Sequence, residues 1–80
     1  MHELGILRYV VRIVKQAADK NKIKFIRHIT LEVGYDSGIV PYYMNKLYPL
    51  LADTIPLLKN AELRIRMVCG KGLIIKDIGY

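Results

Sequence analysis

Apolar residues that recur at helical spacing, then at strand spacing, then through the same succession again predict an α+β domain. The predicted architecture is two helices packed on one face of a three-stranded, mainly antiparallel sheet, in the order αβαββ. That arrangement buries every apolar stripe in the chain, and 80 residues supply enough material for one two-layer core. Residues 1–80 therefore read as a single domain, without internal repeats or low-complexity segments.

From Leu4 to about Asn21, the residues Leu7, Val10, Val11, Val14, Ala17 and Ala18 fall three and four apart. This is the stripe of an amphipathic helix, with Arg8, Arg12, Lys15 and Asp19 on its wet side and Asn21 as its stop. Ile23 to Val33 alternates, placing Ile23, Phe25, Ile29, Leu31 and Val33 on one face and Lys24, His28, Thr30 and Glu32 on the other. Ile26 and Arg27 break that alternation, so a bulge or the true strand start is expected there. Gly34-Tyr35-Asp36-Ser37-Gly38 is a loop by its turn residues, and Pro41 suits the first turn of a second helix.

Tyr43, Met44, Leu47, Leu50, Leu51 and Ile55 are the expected buried face of the second helix, with a kink or an irregular second half at Pro49 and an end at Pro56 to Asn60. Ala61 to Cys69 alternates again, with Leu63, Ile65, Met67 and Cys69 inward. Gly70-Lys71-Gly72 reads as a hairpin turn that returns the chain along Leu73 to Ile78. Cys69 is expected as a buried thiol at a strand end.

Composition narrows the functional classes. The chain is 52% hydrophobic and 25% charged, which fits a globular rather than a disordered protein. One cysteine excludes an intramolecular disulfide and suits a reducing compartment. Lys or Arg interrupts every apolar run, including the first, so neither a membrane span nor a signal peptide is expected, and a cytoplasmic location is. The net charge of +6 attracts polyanions, but the cations are scattered rather than interleaved with aromatics. Lys24, Arg64 and Arg66 on an open sheet face thus imply only nonspecific nucleic-acid affinity. Ser37, Asp36 and His28 are triad residue types, yet turn and strand-surface positions account for them, and Gly70-Lys71-Gly72 is too short for a phosphate loop. An enzyme is not expected.

The terminus has a chemistry of its own. Met1-His2-Glu3 puts a terminal amine, the His2 amide nitrogen and the His2 imidazole within reach of fused chelate rings, with the Glu3 amide as a fourth in-plane donor. Nitrogen-rich tetragonal coordination suits Ni(II) or Cu(II) better than Zn(II). The competing reading is an ordinary chain start with a solvated histidine. A histidine at a helix N-terminus is disfavoured as imidazolium, which keeps the ring competent for metal.

Met1-His2-Glu3-Leu4, the run Ile29-Thr-Leu-Glu-Val-Gly34, Ser37-Gly38-x-Val40-Pro41, Ala61-Glu62-Leu63 and Gly72-Leu73-Ile74-Ile75-Lys76-Asp77-Ile78 follow one another in an order that resembles the HypA family. These are nickel metallochaperones for the maturation of nickel-iron hydrogenase and urease. The resemblance covers nearly the whole chain and implies a nickel site at Met1, His2 and Glu3. In that site His2 gives its imidazole, Met1 its amine, and Glu3 its amide nitrogen or a tuning carboxylate. It also implies partners, a maturation GTPase or the hydrogenase large subunit, to which nickel is delivered.

The chain departs from the family at one place. The family carries a zinc domain, built on two Cys-x-x-Cys pairs, between the last two strands, whereas Met67-Val68-Cys69-Gly70-Lys71-Gly72 runs straight from one strand to the next. A lone Cys69 cannot make a four-ligand zinc site, so no structural zinc is expected and the insertion is missing at about residues 69–72. The alternative function is a family scaffold acting as a regulatory or interaction module without metal, and open sheet edges also allow a homodimer.

Overall fold

The computed structural model describes residues 2–80 and has the predicted α+β class and element order. Helix α1 spans Glu3–Lys20 and buries Leu7, Val10, Val11, Val14 and Ala18, the stripe that helical spacing selects. Its end is a Schellman motif. The N–H of Ile23 donates to the Ala18 carbonyl at 2.8 Å and that of Lys22 to the Asp19 carbonyl at 3.3 Å. The Asn21 amide side chain adds a bond to the Ala17 carbonyl at 2.8 Å. The motif needs a left-handed residue after the cap, and here Lys22 takes it at φ 56°.

Strand β1, His28–Gly34, lies at the centre of the sheet, and Ile29, Leu31 and Val33 on its inner face are fully buried. It begins later than the alternation from Ile23 suggests. Phe25, expected inward, is exposed, whereas Ile26, which broke the pattern, is buried. The reason is a local partner: the Ile26 N–H donates to Leu57 O at 3.0 Å, so this segment packs on the turn after the second helix rather than on a strand.

Helix α2, Pro41–Ala52, starts on proline as expected and continues through Pro49, which faces solvent. The interruption expected at Pro49 comes only after Ala52, before a 3-10 turn over Pro56–Leu58. Its buried row is Met44, Tyr48 and Ala52, with Leu47 and Leu51 half-buried, while Tyr43 and Leu50 are exposed. The inward face is thus rotated by about one residue from the predicted one.

Strands β2, Glu62–Val68, and β3, Leu73–Gly79, flank β1 in the order β2-β1-β3. The sheet is mixed: β1 runs parallel to β2 and antiparallel to β3. Ile75 and Ile78 both turn toward the core although they stand three apart. A bulge opposite Thr30/Leu31 allows this by leaving Lys76 without a partner.

The expected hairpin at Gly70-Lys71-Gly72 is overturned by this topology. β2 and β3 are not neighbours, so residues 69–72 pass over the end of β1 instead of folding back on an adjacent strand. Three bonds hold the crossing, from Gly34 N to Gly72 O, Tyr35 N to Val68 O and Asp36 N to Gly70 O, each 2.8 Å. Gly34 lies directly beneath it, and a Cβ there would overlap the Gly70–Lys71 peptide. Cys69, expected to be buried, is exposed on this passage.

Candidate metal-binding terminus

His2 stands just ahead of α1, where its carbonyl accepts the first helical hydrogen bond, from Ile6 N at 3.1 Å. Its side chain does not cap the helix. Among the described residues, no hydrogen bond or ion pair engages the imidazole, which is exposed. It borders a shallow, mostly apolar groove formed with Gly5, Ile6, Tyr9, Ile39 and Leu73. An exposed, uncommitted imidazole is free to swing onto an ion. Met1, the third member of the expected site, lies outside the described residues.

Glu3 behaves differently. It is only 7% exposed, and its Oε2 accepts the Val40 N–H at 2.9 Å, joining the first turn of α1 to the residue that precedes α2. That N–H has no helical acceptor of its own, so the carboxylate satisfies a donor that would otherwise be left unpaired. The Val40 N–H holds the Glu3 carboxyl below the usual glutamate range, against the opposing effect of burial. With the carboxylate occupied 37 residues away in sequence, the donor that Glu3 can turn toward a metal at His2 is its backbone amide.

The remaining metal-ligand residue types do not assemble. His28 sits on the open face of the sheet, with its Nε2 3.3 Å from Asp77 Oδ1. Among the described residues, no group of three or more His, Cys, Asp or Glu side chains is arranged to hold a metal ion. A chelate of amine, amide and imidazole nitrogens needs no such cluster. The Glu3–Val40 bond was not visible in the sequence, because nothing local to either residue signals the other.

Comparison with known proteins agrees with this fold. The family model described as "Hydrogenase/urease nickel incorporation, metallochaperone, hypA" matches residues 1–73. The hydrogenase maturation factor HypA of Legionella pneumophila strain Corby is 30% identical over 73 residues, covering 91% of this chain and 64% of that protein. The strain Lens protein matches to the same extent. The chain thus spans a little under two thirds of the length of these curated relatives.

Among solved structures, the nickel metallochaperone HypA from Helicobacter pylori superposes with a TM-score of 0.79 at 15% identity, covering 96% of this chain and 72% of that one. A second HypA solution structure gives 0.71 at 17% identity, covering 96% and 71%. At such identities the structural likeness speaks for the fold alone. The family match from residue 1 to residue 73 carries the assignment: the chain belongs to the HypA family.

Proposed function

We propose that this chain is a nickel carrier that holds Ni(II) at Met1-His2-Glu3 and passes it to a partner in the maturation of hydrogenase or urease. The observation that carries the reading is an exposed imidazole with no partner among the described residues, at the second position of a chain that matches the family model from its first residue. His2 supplies the imidazole, Met1 the amine, and Glu3 the amide nitrogen, its carboxylate being spent on Val40. Because the His2 imidazole is exposed, an ion bound to it stays open to an incoming ligand set. That suits transfer rather than storage, and the role is one of carriage rather than catalysis.

The recipient is a maturation GTPase or a hydrogenase large subunit in the cytoplasm. Residues 69–72 carry no zinc-binding insertion, so in this reading nickel is held and handed over without help from a zinc domain.

Calorimetric titration with Ni(II) tests the proposal on protein with a native, untagged Met1, beside His2→Ala and a version extended by one residue at the terminus. Saturable binding by the native chain that is lost in both variants supports it. Failure of the native chain to bind, or equal binding by both variants, refutes it and leaves the regulatory or interaction scaffold as the reading.

A further inference from the structure

Away from the terminus, α1 and α2 leave between them an open groove of about 410 Å³. Arg8, Arg12 and Lys15 line its α1 side, and Val11, Leu51 and Ile55 supply its apolar floor. The three cations stand at i, i+4 and i+7, and so form one row about 10 Å long on the helix surface. Among the described residues, none of them reaches a carboxylate within ion-pair distance. Arg12 instead lies over the Tyr9 ring, 5.5 Å from its centre. Like charges at this spacing repel one another, so the row opposes the helix that bears it.

The chemistry of the lining selects the occupant. A row of uncompensated cations calls for carboxylates or phosphates, but a polyphosphate chain has nothing to lay on Val11, Leu51 and Ile55. Aliphatic side chains do. A groove between two packed helices also accepts the ridge of a third helix. Asp19 closes one end of the groove, where it repels a phosphate and would pair with a single cation. We propose that the α1–α2 groove docks an acidic amphipathic helix of a partner protein, its aliphatic row on Val11, Leu51 and Ile55 and its carboxylates on Arg8, Arg12 and Lys15. The surface is separate from His2, and its test does not depend on nickel.

The probe is a labelled synthetic helix of about three turns. It carries leucines along one face and glutamates at i, i+4 and i+7 beside them, and binding to the full chain is followed by fluorescence anisotropy. Binding is expected to weaken about tenfold or more in the double variant Arg8→Glu/Arg12→Glu and several-fold in Ile55→Ser. It should be unchanged in Lys59→Glu, which lies outside the groove. The same peptide with lysines for glutamates should not bind.

Equal binding by the native chain and the Arg8→Glu/Arg12→Glu variant overturns the proposal. So does tighter binding of a single-stranded oligonucleotide or an anionic phosphatidylglycerol vesicle that Ile55→Ser leaves unaffected. If charge reversal unfolds the chain, amide shift mapping on the unaltered protein decides. Shifts centred on residues 8–15 and 51–55 support the groove, and shifts centred on the sheet refute it.

Discussion

Replacing Tyr48 by phenylalanine should exchange one kind of stability for another, and the sign of the change should reverse with pH. Tyr48 is 6% exposed, and its hydroxyl donates to the Ala61 carbonyl at 3.2 Å, tying α2 to the residue just ahead of β2. At neutral pH phenylalanine keeps the ring and loses that bond. Ala61 is half-buried, so water can take over its carbonyl, and the cost falls in the lower part of the range for a hydrogen bond, about 0.5–1 kcal/mol.

Burial, aided by the charge of Asp53, pushes the Tyr48 phenol up from 10.0 to about 12. The unfolded chain therefore loses this proton first. The tyrosine's contribution is complete below pH 10 and is lost as pH rises toward about 12. Two units correspond to about 2.7 kcal/mol at most, and solvent screening near the hydroxyl lowers this to about 1–2 kcal/mol. The native protein should thus be the more stable at neutral pH, and the Tyr48→Phe variant equal or more stable by about pH 11–12. Urea unfolding followed by circular dichroism across that range measures the difference, and the other tyrosines cancel because both proteins carry them. A stability difference that stays constant with pH would refute the reasoning.

Three further outcomes follow from particular contacts. Glu3→Gln should leave Ni(II) affinity by calorimetry within about threefold, since the carboxylate is held by Val40; a loss of about tenfold or more would place that carboxylate at the metal. Gly34→Ala should destabilise the fold by about 1–3 kcal/mol in urea, because the added Cβ meets backbone of the β2–β3 passage rather than a side chain that can move aside. Lys22→Gly should raise stability by about 0.5–1 kcal/mol, read as a higher urea midpoint, by relieving a left-handed residue that the Schellman motif requires.

The parts of the fold legible in the sequence are those set by local periodicity. The α1 stripe from Leu7 to Ala18 is buried as its spacing requires, and the alternation of Ile29, Leu31 and Val33 marks the inner face of β1. What escaped depends on neighbours distant in sequence. The glycines at 70 and 72 look the same whether the chain turns back on an adjacent strand or passes over an intervening one, and only the pairing of β1 with both other strands decides. The inward row of α2 is set by where α1 and β2 meet it, and the apolar residues of α2 are too evenly spread to reveal that. Cys69 follows the alternation of β2 by one residue too far, onto the exposed passage. At the terminus, the chelate geometry of a second-position histidine and the family resemblance singled out His2 as an expectation, whereas the role of the Glu3 side chain required a contact with Val40.

The passage over β1 also matters for anyone who wishes to watch this molecule at work. It ends at Leu73, and Leu73 shares a groove with His2. A segment spliced in just before Leu73 would therefore emerge beside the groove that His2 borders. The single exposed thiol of Cys69 is a handle on the same passage, four residues before Leu73. A solvatochromic dye attached to that sulfur would sit on the crossing over the end of β1 without adding or removing a residue, turning the molecule into its own optical reporter.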